Sequence, residues 1–266
     1  MNILVTNDDG IDSPGIWELA RELSRVGDIL LVAPETQQSG TGTGVSFSRD
    51  GININKVAPR IPGVNAYSIG GTPSDCVILG LKYITKHHID LIASGINLGP
   101  NVGHDIPYSG TVMATLGGYY RKIPSIAVSL ALHEKNESAR FDVAARFAAT
   151  VAEAIKNRRL DVSAIININV PNLPADKIKG VKTTRTANFG YVHLADLSGS
   201  DVKAVYNTVT RKPAGVEIEA GTDVWAINEG YISVTPVRLD VTHHELIPVI
   251  EDCLGNLDCG YLGNTL

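Results

Sequence analysis

Five short apolar runs, each stopped by a polar or turn-forming segment, constrain this chain more than any other feature of its sequence. The first, Asn2–Thr6 (NILVT), breaks off at Asn7-Asp8-Asp9-Gly10. Ser13 then precedes Pro14, an N-cap residue followed by proline at the first helical position. Ile16, Leu19, Ala20 and Leu23 share one face of the helix this predicts, which is expected to reach Val26 and end at Gly27. Ile29–Val32 is the second run, stopped by Ala33-Pro34. Strand, helix and strand over this length make a βαβ unit, with parallel strands and a right-handed crossover.

The alternation continues. Short extended pieces are expected over 45–69, and a helix over Asp75–His87 with Val77, Ile78, Leu81 and Ile84 in phase. Asp90–Ala93 is a strand, Thr111–Tyr120 a helix of small residues, Pro124–Leu130 a strand, Arg140–Lys156 an amphipathic helix and Ala164–Val170 a strand. Residues 1–170 are therefore expected to form an α/β, Rossmann-like core with a doubly wound, mostly parallel sheet. Beyond Pro171 the runs VKTTRT, VKAVYNTVT and DVWAINEGYISVTPVRLDVT look β-like, and a last helix is expected over His243–Cys253. Residues 171–266 thus read as a β-rich extension, with a hairpin arm over 202–240. Exposed strands of that kind are stable only when covered or paired, so a homodimer or larger assembly is expected.

Composition narrows the function classes. Apolar residues at 44% and charged residues at 19% support a substantial core. A net charge of -5 gives no general attraction to a nucleic-acid duplex or an anionic membrane. The three cysteines, Cys76, Cys253 and Cys259, form no CxxC pair, which argues against a disulfide framework or thiolate zinc site. The N-terminus has no basic n-region or long apolar h-region, and no apolar run reaches the ~18 residues of a membrane span. A cytoplasmic location is expected.

Ligands in an open parallel sheet sit beyond the carboxyl ends of the strands. Three strands here end in polar loops: at Asp8 and Asp9, at Gln38-Ser39-Gly40, and at Ser94-Gly95-Ile96-Asn97. As neighbours, these strands would bring together two carboxylates, a hydroxyl and a carboxamide. An all-oxygen set suits a hard divalent cation such as Mg²⁺ or Mn²⁺. An isolated DDG is as often a solvated turn; its place after the first strand gives it weight. The segment from Asn97 to Thr111 is rich in glycine and asparagine and ends in Ser109-Gly110-Thr111 before a helix, where backbone amides can bind phosphate. Metal and phosphate side by side suit metal-assisted phosphoryl chemistry, with Asp8 or Asp9 accepting a proton from water. His104 lies in the same segment and is a lesser acid–base candidate. Tyr108 and Tyr191 are candidates to stack on a base, although loop tyrosines more often simply pack. His87-His88 and His243-His244 lack helical ligand spacing and read as surface.

The stretches MNILVTNDDGIDSPGI, APETQQSGTGTGVSFS, GTPSDCV, SGINLGPNVGHDIPYSGTV and TDVWAINEGYISVTPV together resemble the SurE family of stationary-phase survival nucleotidases. The resemblance runs from residue 1 to about residue 240. It implies a Rossmann-like core with a β-rich extension, in a homodimer or homotetramer that often exchanges C-terminal elements. It implies one divalent ion at Asp8, Asp9, Ser39 and Asn97, and phosphate at Asn101, Ser109, Gly110 and Thr111. The activity implied is hydrolysis of nucleoside 5′- and 3′-monophosphates, with short polyphosphate as a side substrate. The chain departs from the family pattern at Met113, usually glycine, and at Gly117, usually glutamate.

Two other classes fit the sequence less well. A receiver-type signalling domain also pairs acids after its first strand, but needs a phospho-acceptor aspartate where Asn97 stands and a lysine that PSIAVSL lacks. The two site carboxylates argue against a nucleotide-binding module without turnover, since they suit catalysis better than simple anion capture.

Overall fold

The structure is a computed structural model. It describes residues 1–46, 51–132, 138–160, 164–190 and 217–255, and the backbone of two short strands at 192–194 and 206–208. In chain order the elements are β1 (Asn2–Thr6), α1 (Pro14–Leu23), β2 (Asp28–Pro34), β3 (Ile54–Val57), β4 (Asn65–Ile69), α2 (Pro73–Leu79) and β5 (Leu91–Leu98). There follow α3 (Gly110–Ala114), α4 (Leu116–Tyr119), β6 (Ser125–Ala131), α5 (Phe141–Lys156), β7 (Ile165–Pro171) and β8 (Val181–Thr183). The last are β9 (Val192–Leu194), β10 (Tyr206–Thr208), α6 (Asp223–Asn228), β11 (Ile232–Val237) and α7 (Ile247–Leu254).

Nine strands form one sheet in the order β3-β4-β2-β1-β5-β6-β7-β11-β8. From β4 to β7 every pairing is parallel, while β3 runs antiparallel to β4 and β11 antiparallel to β7, with β8 parallel to β11 at the far edge. The fold is therefore the expected α/β, doubly wound, mostly parallel sheet. The chain moves from β1 toward one edge through β2 and β4, then returns to lay β5 on the other side of β1. That reversal puts a crevice at the carboxyl ends of β1 and β5, where ligands bind in such sheets.

The two sheet faces are covered by different helices. On one face α1 lies against α5 over Ile3, Val5, Leu91 and Ile126, all fully buried. Ile16, Leu19, Ala20 and Leu23 supply the α1 stripe at 0% exposure, each of the larger ones contributing roughly 2 kcal/mol by burial. On the other face Leu4, Val77, Ile92 and Ala114 close a second cluster under α2 and α3. Helix α1 stops at Leu23, three residues short of the expected Val26, and Ser13 caps it by position without a side-chain bond.

The helix expected over Asp75–His87 is shorter at its end and begins earlier. Thr72 and Asp75 form a reciprocal capping box ahead of Pro73, and after Leu79 the chain widens into a π-turn over Gly80–Ile84. A Cβ at Gly80 would stand 2.5 Å from Leu4 Cδ1, so this stretch presses close onto β1. The helix expected over Thr111–Tyr120 is two short pieces broken at Thr115. DVWAINEG does not continue a β-run: Thr222 caps α6, its hydroxyl accepting Trp225 N–H at 3.2 Å. Of the arm expected over 202–240, β10 pairs with β9 in a separate antiparallel hairpin, whereas β11 belongs to the main sheet. The rest of that arm up to residue 216 lies outside the described residues. No described helix is long and apolar enough to cross a membrane.

Candidate metal and phosphate site

The turn after β1 is set by Asn7. Its side chain donates to the Gly10 carbonyl at 2.9 Å and accepts the Gly10 N–H at 3.2 Å. This presents Asp8 and Asp9 in succession at the crevice. Asp8 is buried, and its carboxylate accepts a short hydrogen bond from the Thr111 hydroxyl. A Cβ on Gly110 would lie 2.8 Å from Asp8 Cβ and 3.0 Å from Thr41 Oγ1, so the first turn of α3 approaches the aspartate as closely as only glycine permits.

The loops after β2 and β5 reach the same place. Gln38 N–H donates to the Asp8 carbonyl at 2.7 Å, one residue before Ser39. Ser39 itself is exposed, its hydroxyl accepting from Gln37 Nε2 at 2.9 Å. Thr41 donates to the Gln38 carbonyl at 2.8 Å, and Gly42 N–H to the Tyr108 carbonyl at 3.0 Å, stitching this loop to the segment opposite. On the other side β5 bulges between Gly95 and Asn97. The Leu98 N–H addresses the Asp9 carboxylate, one residue after Asn97. Asn97 Nδ2 donates to the Gly99 carbonyl at 2.8 Å, which turns its carboxamide oxygen away from that bond.

Buried polar side chains hold the segment from Leu98 to Thr111. Asn101 N–H donates to Asn169 Oδ1 at 2.8 Å, and its carbonyl accepts from Asn167 and Asn169 at 2.8 and 2.9 Å. Its own side-chain nitrogen donates to Ser129 at 2.8 Å. Farther along, Gly103 N–H donates to Asp223 at 2.8 Å, and the same carboxylate accepts from Ala187 N–H at 2.9 Å and Val224 N–H at 2.8 Å. Ser109 caps α3, its hydroxyl accepting Val112 N–H at 3.1 Å.

The electrostatics of the paired aspartates call for a counter-charge. Burial raises the carboxyl of Asp8 above the usual carboxylate range, opposed by hydrogen bonds from Thr111. Burial and then the neighbouring charge of Asp8 push Asp9 up to about 6. Asp9 Oδ2 is buried and has no hydrogen-bond partner among the described residues. Buried polar atoms are nearly always satisfied, so this oxygen fits a cation ligand. Among the described residues no cluster of three or more His, Cys, Asp or Glu side chains could hold a metal. Any cation here would rely on the two carboxylates and neutral oxygens, a donor set for a hard ion.

Asp8, Ser109, Gly110 and Thr111 thus lie together, Asp9 lies beside them, and Ser39 and Asn97 are each one residue from a bond to this pair. Asn101 is buried, with its side chain engaged inside the sheet at Ser129. His104 and Tyr108 are exposed at the rim, and Tyr191 lies outside the described residues. Helix α3 has only five residues, so its first amides rather than a long helix dipole are what it offers an anion. Sequence reasoning missed Asn7, Thr41, Asn167, Asn169 and Asp223. The two strand asparagines had a signal: in IININV a polar residue alternates with apolar ones in an otherwise buried strand. Met113 is buried with Ile106, Val112 and Ala127. A Cβ at Gly117 would stand 2.7 Å from Val77 Cγ1, so the usual glutamate would displace α2 packing.

The family model described as "Survival protein SurE" matches residues 3–193. A 5′-nucleotidase SurE of Dehalococcoides mccartyi strain CBDB1 is 42% identical over 238 residues, 90% of this chain and 89% of that one. A 5′/3′-nucleotidase SurE of Shigella dysenteriae serotype 1 is 37% identical over 263 residues, 98% of this chain and 99% of its own. The crystal structure of the SurE protein from Aquifex aeolicus superposes with a TM-score of 0.77 at 33% identity, covering 95% of this chain and 99% of that one. The chain belongs to the SurE family.

Proposed function

We propose that the chain is a metal-dependent phosphomonoesterase that hydrolyses nucleoside 5′- and 3′-monophosphates to nucleoside and phosphate. The observation that carries this is the carboxylate pair at the crevice, with one buried oxygen that has no partner among the described residues, set directly against the Ser109–Thr111 turn. The names of the Dehalococcoides and Shigella relatives agree with it. Asp8, Asp9, Ser39 and Asn97 would hold one Mg²⁺ or Mn²⁺. When bound, that ion would offset phosphate charge and acidify a water. The chain's own residues do the rest. The Ser109 hydroxyl and the Gly110 and Thr111 amides hold phosphoryl oxygens. Asn101, bonded to Ser129, Asn167 and Asn169, fixes the loop that presents them. Asp8 or Asp9 accepts the proton of the attacking water.

The test is inorganic phosphate release from mononucleotides and short polyphosphate, with Mn²⁺ or Mg²⁺ and with EDTA. Metal-stimulated release from AMP is expected; release unaffected by excess chelator would overturn the metal assignment. Direct attack by water also predicts inversion at phosphorus on a chiral thiophosphate ester, whereas retention would require an aspartyl nucleophile.

The C-terminal helix α7 supports an assembly of more than one copy. Leu246, Ile247, Val249, Ile250 and Leu254 are 40 to 54% exposed, and no α7 residue is buried. An apolar helix left in water is better covered by a second copy, so a homodimer or larger is the form we propose. Ile250→Glu is expected to lower the mass measured by light scattering; a wild-type monomer at every concentration would contradict it.

A further inference from the structure

Beside the paired aspartates a cleft of about 380 Å³ opens between the ends of β2 and β4. Glu35, Thr36 and Gln38 form one wall, and Gly70, Gly71 and Thr72 the other. The cleft shares its wall with the catalytic crevice. Gln38 lines it while bonding its N–H to the Asp8 carbonyl, and the Thr36 backbone carbon stands 3.3 Å from where a Gly10 Cβ would be.

The walls are tied in place. Glu35 N–H donates to the Ile69 carbonyl at 2.9 Å, extending the β2–β4 ladder. Thr72 donates to the Gly44 carbonyl at 2.6 Å. The buried carboxylate of Asp75 accepts from Ser46 N–H at 3.1 Å and Thr72 N–H at 2.9 Å. Glycine keeps the cleft open: a Cβ on Gly70 meets only ordinary contacts, pointing to Asn53 and, at 3.7 Å, to Glu35 Oε2. There is room for a side chain at Gly70, and the chain has none.

Glu35 gives the cleft its chemistry. Glu35 is exposed at the cleft mouth; its Oε1 accepts from Asn55 Nδ2 at 2.7 Å, and its Oε2 faces Gly70, open to a ligand. A carboxylate only accepts hydrogen bonds, and it repels phosphate. The part of a ligand that fits here is neutral and rich in hydroxyls. In dinucleotide-binding doubly wound sheets an acid at the end of the second strand takes a ribose hydroxyl; Glu35 is the residue directly after β2, the strand beside β1 and its Asp8–Asp9 turn.

We propose that this cleft is the ribose subsite, with Glu35 accepting hydrogen bonds from the 2′- and 3′-hydroxyls of a nucleoside 5′-monophosphate. The inference rests on the nucleotidase reading above. It is tested with Glu35→Gln and with Gly70→Val, which fills the cleft. Each protein is assayed on AMP, 2′,3′-dideoxy-AMP and p-nitrophenyl phosphate, and by equilibrium dialysis of adenosine and dideoxyadenosine. Wild type is expected to prefer AMP over the dideoxy form about tenfold or more in kcat/KM, the size of a hydrogen-bonded charge contact. Glu35→Gln is expected to bring that ratio toward one, through KM, and to weaken adenosine binding by a similar factor. Gly70→Val is expected to lower kcat/KM for AMP relative to p-nitrophenyl phosphate. Equal use of AMP and dideoxy-AMP by wild type, or an equal fall on both in Glu35→Gln, would overturn the subsite. If wild type releases phosphate from none of the esters, the nucleotidase reading fails. The dialysis still decides the cleft, because equal retention of the two nucleosides refutes it without turnover.

Discussion

Asp223 and Asp9 are both drawn out of water at the same loop, and their surroundings are opposite. Asp223 sits near the start of the loop, and its two oxygens together accept three backbone N–H groups. Burial still holds its carboxyl above the usual range. Asp9 sits at the crevice, and one of its oxygens has no partner among the described residues. A buried carboxylate supplied with amides fastens chain to chain. A buried carboxylate left short, beside another negative group, stores an unmet demand that a cation can fill.

The largest expected effect breaks the comparison on the Asp9 side. Asp9→Asn should lower kcat on AMP by roughly a thousandfold, as loss of several kcal/mol of charge stabilisation implies. Its thermal midpoint should hold or rise, because a repulsion with Asp8 is removed. A coupled loss of stability would make Asp9 a structural acid like Asp223.

Asp223→Ala should do the reverse. Three orphaned amides cost about 3 kcal/mol or more, which lowers the thermal midpoint by roughly 6 to 12 °C. Asp223→Asn should lie between, since its oxygen can still serve Ala187 and Val224 while its nitrogen faces the Gly103 N–H. A midpoint unchanged in both variants would show that the three bonds are replaceable.

Thr111→Val sharpens the contrast inside the crevice. It removes the hydroxyl that Asp8 accepts, and turnover should drop about tenfold to a hundredfold with folding largely kept. Ser129→Ala is the smallest change. It frees the Asn101 side chain at a cost of about 1 kcal/mol, visible as a slight midpoint shift and a modest rise in KM. A larger effect from Ser129→Ala than from Thr111→Val would invert the ranking of the two contacts.

The difference between the two acids also marks what can be read from the sequence. Asp8 and Asp9 follow an apolar run that could only be a buried strand, so their position at a strand end was legible. So were the neighbouring loops, because strands in a βαβ chain stack beside one another. Asp223 was hidden by its setting. In DVWAINEG the β-branched and aromatic residues favour a strand, and six helical residues are too few to show a helical period. The cue was Thr222-Asp223 ahead of an apolar stretch, a helix start in which the cap outweighs propensity. The same kind of cue, Thr72 with Asp75, stands at the start of α2. The end of α2 was unreadable for another reason: Gly80 turns the chain against Leu4, a contact 76 positions away that no local pattern encodes. Tertiary closeness also decides Gly110, whose need becomes apparent only with Asp8 beside it.

The anchors of the loop from Leu98 to Thr111 have a consequence for the order in which the molecule can acquire its activity. Asn101 is fastened to Asn169 across 68 positions, Thr111 to Asp8 across 103, and Gly103 to Asp223 across 120. Each closure loses chain entropy before its bond forms, and distant closures form late. During synthesis the two aspartates emerge first, yet the segment facing them stays untethered on one side until α6 has left the ribosome. Chains interrupted before Thr222 would carry every residue of the crevice and lack one of its three fastenings, so full competence arrives only once α6 has been made.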